Sequence, residues 1–191
     1  MSAPRVVLGI SGASGAMLGL SAARQLTALG AQTDLVVSAA AERTIAEECG
    51  TGAWEELQRL AARVHPLSDI GASIASGSVP VAGMIVAPCS MRTLAAVAHG
   101  LDDNLLTRAA SVQLKERRRL VLLARETPLT LAHLRNMTAV TEMGAVVMPP
   151  APAFYLHPKS VAEIADQIAA RAVDLLRIAE PSAARWSGSD L

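Results

Sequence analysis

The sequence predicts one α/β domain: an open, mostly parallel sheet with helices layered on both faces. Three observations predict it. Short apolar runs alternate with helical stretches along the chain, which is the pattern of βαβ units. Those runs lack polar alternation, as strands buried on both faces do. The chain has 191 residues, enough for one well-buried domain and too few for two ordinary ones.

The first strand is Arg5 to Ile10, an apolar run closed by Ser11-Gly12. Gly15 to Leu29 reads as a helix with Gly30 just past its end. Asp34 to Ser38 is the second strand, Ala39 to Cys49 a helix ending at Gly50, and Trp54 to Ala62 another helix. Arg63 to His65 is a short strand, followed by a Ser/Gly-rich loop from Pro66 to Val79. Gly83 to Pro88 is a strand, Ser90 to His99 a helix stopped by Gly100, and Asn104 to Lys115 a helix. Arg119 to Ala124 is a strand. Pro128, at a first helical position, starts a helix running to about Met143. Gly144 to Met148 is the sixth strand. Ser160 with Glu163 forms a capping box, and the helix after it repeats apolar residues near a 3.6 period.

Composition narrows the function. Lys plus Arg is 17 and Asp plus Glu is 17, so nothing global draws the chain to nucleic acid. No apolar run approaches the roughly 18 residues of a membrane span. Met1 to Arg5 leads straight into a strand without the layout of a signal peptide, and the two cysteines, Cys49 and Cys89, make no disulfide framework. A reducing cytoplasm is the expected setting. The four histidines have no metal-ligand spacing, so no metal site is expected. Aromatics are scarce: Trp54, Phe154, Tyr155 and Trp186 are the whole set, and the core must be aliphatic.

Ligands in open parallel sheets bind outside the carboxyl ends of the strands. The Gly9-to-Gly15 loop there has glycines for close approach and N–H groups at a helix start for an anion, or is simply a tight turn. It is not G-x-G-x-x-G, and Ser38 stands where a dinucleotide fold places an acid, so a dinucleotide is disfavoured. Ser90 and Thr93 offer hydroxyl and N–H donors at another helix start, suited to a phosphate or a flavin edge. Cys89 reads as a buried apolar residue rather than a nucleophile. Arg117 to Arg119 read as a solvated face. Arg125-Glu126 sits where a strand leaves the sheet, as a phosphate clamp with an acid–base partner or as a structural ion pair. Glu48, at the end of the second helix, is open between a functional role and that of an ordinary solvated carboxylate.

Taken together, GISGASGA (Gly9 to Ala16), Ser38, ASIASGS (Ala72 to Ser78), PCSMRTLA (Pro88 to Ala95), the stretch from Leu105 to Leu129 with its LKERR and RETPL segments, GAVVMPPAPAFY (Gly144 to Tyr155) and Arg185-Trp186 resemble the UbiX flavin prenyltransferases, a family long labelled aromatic-acid decarboxylases. The resemblance implies a three-layer, Rossmann-like or flavodoxin-like subunit with a flavin-binding domain over residues 1–180. The tail, residues 181–191, would close over the active site. The subunits would form a homo-oligomer, typically a dodecamer, with FMN at subunit interfaces. The implied reaction is metal-independent transfer of a dimethylallyl group from dimethylallyl phosphate to N5 and C6 of reduced FMN. The product, prenylated FMN, would serve a UbiD-type decarboxylase.

Carried over residue by residue, Gly12, Ala13, Ser14, Ser38, Ser90, Met91, Arg92, Thr93 and Arg125 would line the FMN. Arg108, Lys115, Tyr155 and Arg171 would hold the substrate phosphate. Ser14 with Glu126 would relay a proton, Glu48 would assist ring closure, and Trp186 would wall the prenyl site. Leu18, Ala39, Cys49 and Ser111 depart from the family's usual residues. A related architecture, the flavin-dependent cysteine decarboxylases, carries a catalytic His, for which His65 is the one candidate here; a non-catalytic FMN-binding protein is the other alternative.

Overall fold

Every strand of the sheet runs parallel to its neighbours, and the chain alternates strand and helix almost throughout. The computed structural model describes residues 3–186 and residue 188. In chain order the elements are β1 (Arg5–Ile10), α1 (Ala16–Ala28), β2 (Gln32–Val37), α2 (Ala39–Cys49), α3 (Ala53–Leu60), β3 (Arg63–His65), β4 (Gly83–Cys89) and α4 (Met91–Ala98). They continue with α5 (Leu105–Lys115), β5 (Arg119–Ala124), α6 (Leu131–Glu142), β6 (Val146–Val147) and α7 (Val161–Leu176). The sheet order is β3-β2-β1-β4-β5-β6. The chain therefore winds outward from β1 to β3 and then returns to β4 on the other side of β1. That reversal opens a crevice beyond the carboxyl ends of β1 and β4.

Successive strand residues point to opposite faces, so each strand feeds two cores. Val6, Leu8, Ile10, Leu35, Ile85, Val121 and Leu123 join α1, α2, α3 and α7 in one layer. Val7, Val36, Met84, Val86, Leu120 and Leu122 join α4, α5 and α6 in the other. The period of two is invisible in the sequence because both faces are apolar. Among the described residues, the buried apolar side chains are aliphatic apart from Met84 and Cys89, and none is aromatic. Trp54 packs at the margin of the first core, while Phe154, Tyr155 and Trp186 are exposed.

Three predicted helix stops are glycines in the left-handed region: Gly30, Gly50 and Gly100, at φ of 69°, 80° and 64°. Other boundaries shift. Helix α6 starts at Leu131 rather than at Pro128, because Thr130 and His133 cap it reciprocally. The Thr130 hydroxyl accepts from the His133 N–H (3.2 Å), and His133 Nδ1 accepts from the Thr130 N–H (3.3 Å). The box predicted at Ser160 is half formed. Ser160 accepts from the Glu163 N–H, but the Glu163 carboxylate takes the Lys159 N–H instead of that of Ser160. Strand β6 is two residues long. The loops before β4 and after β6 each contain one 3-10 turn, Ser73–Ala75 and Phe154–Leu156.

One charged cluster is built into the sheet. Asp34, on β2, is wholly buried. Arg5 on β1 grips it with Nε (2.5 Å) and Nη2 (2.9 Å), and His65 Nε2 on β3 lies 2.7 Å away. Arg5 Nη2 also donates to Ser73 Oγ (2.8 Å), tying the Ser/Gly-rich loop to the sheet.

Candidate active site

The crevice between β1 and β4 is closed at its base by one serine. The Ser11 hydroxyl donates to the Pro88 carbonyl (2.9 Å) and accepts from the Ser90 N–H (2.7 Å). The two strand ends are thereby locked at a fixed separation. Two helices begin beside them. Ser38 caps α2 by accepting from the Ala41 N–H (3.2 Å), and Ser90 caps α4 by accepting from the Thr93 N–H (3.3 Å). The Ser90 hydroxyl also donates to Thr93 Oγ1 (3.1 Å). A cavity of about 390 Å³ lies among Ser11, Gly12, Ser38, Ser90, Arg92 and Thr93. Gly12 is required there, because a Cβ would stand 2.3 Å from that of Ala40 in the first turn of α2. The cavity thus joins a glycine-lined wall, two capped helix starts and the Arg92 guanidinium, one Nη of which is already engaged by Asp103 (2.5 Å), a set that suits a planar ring system carrying polar edges.

Helix α1 differs. Its N-cap is Gly15 at φ 105°, which has no side chain to offer, and its first turn holds no acid. The missing acceptor comes from α2. Glu48 Oε2 accepts from the Gly15 N–H (2.7 Å) and the Ala16 N–H (2.8 Å), and its carboxylate also takes the Ser14 hydroxyl. Burial pushes the Glu48 pKa up. The Ser14 and backbone hydrogen bonds and the charge of Arg125 outweigh it and hold the group below its ordinary value of 4.5. The start of α1 is therefore occupied by a carboxylate and is not free for a phosphate. Replacing Glu48 with alanine is expected to cost about 1 kcal/mol at pH 7, a cap-sized loss reduced by solvent exposure. Because the folded pKa is depressed, this contribution is present above 4.5 and disappears as the pH falls through the carboxylate range. Melting curves of wild type and Glu48→Ala at pH 7 and pH 3 check it; an unchanged gap at pH 3 would contradict it.

The predicted flavin-lining residues Gly12, Ser38, Ser90, Arg92 and Thr93 share the cavity. Ala13, Ser14 and Met91 belong to the same two loops, at the starts of α1 and α4. Arg125 and Glu126 follow β5 at the same end of the sheet, and the Arg125 N–H donates to the Cys89 carbonyl (3.0 Å). Ser14 pairs with Glu48 in this subunit. Glu126 Oε1 instead accepts from the Thr127 N–H (3.0 Å). Cys89 is buried, and burial pushes its thiol up to about 12, which suits a packing residue.

The predicted phosphate ligands split into two groups. Tyr155, Arg171 and Trp186 line one pocket of about 520 Å³ beside α7, joined by Arg185. Tyr155 and Trp186 meet edge to face, with centroids 5.3 Å apart. Arg108 and Lys115 stand elsewhere, on α5. Arg108 donates to the Ala75 carbonyl (3.2 Å) and to Asp102 (3.0 Å), and Asp102 also accepts from the Ser111 hydroxyl (2.5 Å). Lys115 pairs with Glu116 next to Gly77. Helices α5 and α7 pack on opposite faces of the sheet. Lys115 ends α5 just before β5 begins, so it lies at the amino ends of the strands. The four residues therefore cannot surround one phosphate within a single subunit.

A flavoprotein family model matches residues 1–177. The flavin prenyltransferase UbiX of Neisseria meningitidis serogroup B is 55% identical over 184 residues, covering 96% of this chain and 97% of that one. The crystal structure of AnUbiX (PadA1) in complex with FMN and dimethylallyl pyrophosphate superposes with a TM-score of 0.94 at 46% identity, covering 99% of this chain and 100% of that one. A dodecameric FMN-dependent UbiX-like decarboxylase from Escherichia coli O157:H7 gives a TM-score of 0.91 at 43% identity, over 96% of this chain and 100% of that one.

Proposed function

The chain belongs to the flavoprotein family, among the UbiX flavin prenyltransferases, and on that premise we propose that it transfers a dimethylallyl group to N5 and C6 of reduced FMN. The observation that carries the reading is the pocket that gathers Tyr155, Arg171 and Trp186 from three separate segments. It offers a cation and a phenol to a phosphate, and two aromatic rings to an apolar, electron-deficient fragment. The flavin cavity lies across the crevice at the strand ends.

When bound, reduced FMN supplies the nucleophilic ring atoms. The chain supplies the surroundings. Ser11 holds the strand ends at a fixed separation, Ser38 and Ser90 fix the helix starts around the crevice, Arg92 lines it while paired with Asp103, and Arg125 adds a cation after β5 at the same end of the sheet. Arg171 stabilises the departing phosphate by charge-assisted hydrogen bonds. The rings of Tyr155 and Trp186 exclude water from the allylic fragment and favour its positive charge. Ring closure releases a proton, and Ser14 with Glu48 and Glu126 provide a hydroxyl and two carboxylates at that end of the sheet.

The opposite placement of α5 and α7 supports a site completed by neighbouring subunits. Arg108 and Lys115 of one copy would face Tyr155 and Arg171 of another, in a dodecamer like the Escherichia coli relative. The exposed apolar residues Leu129, Leu131, Leu134 and Met143 on and around α6 supply surface for such assembly. Among the described residues no helix is long and apolar enough to cross a membrane. Both cysteines are free, which suits a cytoplasmic setting. The product would pass to a UbiD-type decarboxylase. The cysteine-decarboxylase alternative loses its base, because His65 is engaged by Asp34 and does not line the flavin cavity.

Anaerobic incubation with reduced FMN and dimethylallyl phosphate, followed by mass spectrometry, is expected to show a flavin heavier by one dimethylallyl unit. Protein that binds FMN yet returns it unmodified with both the phosphate and the diphosphate donor would overturn the reading.

A further inference from the structure

Resting on the prenyltransferase reading, we infer that Gln167 and Asp174 are positioning residues that strap residues 181–186 along α7 and so hold Trp186 against Tyr155 at the phosphate pocket. The chain leaves α7 through Arg177, in the left-handed region at φ 57°, and turns back along the helix. The returning segment has no strand partner, so its polar backbone must find side chains. Asp174 supplies two acceptors: Oδ1 takes the Ser182 N–H (2.8 Å) and Oδ2 takes the Ala183 N–H (3.1 Å). Gln167 makes a two-point pair with Ala184, donating through Nε2 to the carbonyl (3.0 Å) and accepting its N–H at Oε1 (3.2 Å).

The spacing explains why this clamp matters to the pocket. Gln167, Arg171 and Asp174 fall at i, i+4 and i+7, on one face of α7. The phosphate cation therefore sits between the two clamp residues. Ala183, within the strap, is buried, and two residues beyond Ala184 the Trp186 indole reaches Tyr155 edge to face. Trp186 itself is 63% exposed, so packing alone holds it weakly. Its position depends on the backbone path that Gln167 and Asp174 impose.

The test uses the full chain in a Trp54→Phe background, where Trp186 is the one remaining indole. Gln167→Ala and Asp174→Ala are each expected to raise KM for dimethylallyl phosphate about tenfold, the equivalent of the hydrogen bonds lost, while the Kd for FMN stays within twofold. Acrylamide quenching of Trp186 is expected to rise about twofold in both. Asp174→Asn keeps an oxygen for one of the two N–H groups and should recover most of the KM. If the Asp174 charge acted directly on Arg171, Asn would be as damaging as Ala and Gln167→Ala would be silent; that result overturns the inference. A raised KM with unchanged quenching also overturns it. The quenching arm needs no turnover, so a wild-type protein that does not prenylate FMN would refute the parent reading while the strap is still tested. Gln167→Ala, which removes no charge, keeps the test available if Asp174→Ala fails to fold.

Discussion

Arg171→Ala is expected to lower kcat/KM for dimethylallyl phosphate by roughly two to three orders of magnitude while leaving FMN affinity almost unchanged. The side chain is exposed on α7, lines the pocket with Tyr155, and among the described residues makes no ion pair. Its charge is thus available to a ligand. Truncation removes stabilisation from the phosphate as its charge grows, which is why the loss falls on the chemical step. Arg171→Lys keeps the charge but not the planar fork and should recover only part of the rate. A sharper version uses two inactive chains. Lys115 and Arg171 lie on opposite faces of the sheet, so a shared site must draw them from different subunits. Co-expressed Lys115→Ala and Arg171→Ala chains that mix at random should then regain about a quarter of wild-type activity per site. No recovery in mixed oligomers, or full activity in Arg171→Ala alone, would refute this arrangement.

The strands were legible in the sequence because both faces of a parallel sheet are apolar, so each appears as an unbroken run such as RVVLGI. The glycine helix stops were legible because few other residues adopt a positive φ. The grouping of site residues was legible less evenly. Ser38 and Ser90 were read as lying at a strand end and a helix start, and the structure shows what those positions do locally: each hydroxyl caps the helix that follows. The role of Glu48 was hidden, since its partners Gly15 and Ala16 lie 33 and 32 residues away. One signal was present all the same. A helix that starts after glycine, without an acid in its first turn, needs an acceptor from another element. The strap on α7 was hidden for the same reason: Gln167 and Asp174 read as ordinary solvated positions until the returning chain lies beside them. The separation of Lys115 from Arg171 follows from sheet topology, which a motif list does not contain.

Asp34→Ala is expected to be the most destabilising single change, at about 3–5 kcal/mol or roughly 10 °C in Tm. Deletion of the carboxylate leaves the Arg5 guanidinium, only 18% exposed, and the His65 ring, 12% exposed, facing a space without their acceptor. The cost is that of an unpaired buried charge and exceeds the net worth of the pair itself. Three controls separate these terms. Asp34→Asn keeps the shape and one acceptor but not the charge, and should fall between wild type and Asp34→Ala. Arg5→Met combined with Asp34→Ala removes both charges and should be less damaging than Asp34→Ala alone, giving a coupling energy of opposite sign to the single losses. The third control is pH. Burial pushes the Asp34 pKa up, but the hydrogen bonds and charges of Arg5 and His65 prevail and hold it below its ordinary value of 3.8. A depressed carboxylate stabilises the fold above that value and stops doing so as the pH falls through the folded pKa. Wild type should therefore lose its advantage over Asp34→Asn progressively on acidification, and an advantage undiminished between pH 7 and pH 2 would show that the carboxylate's charge is not what holds β1, β2 and β3 together at this point.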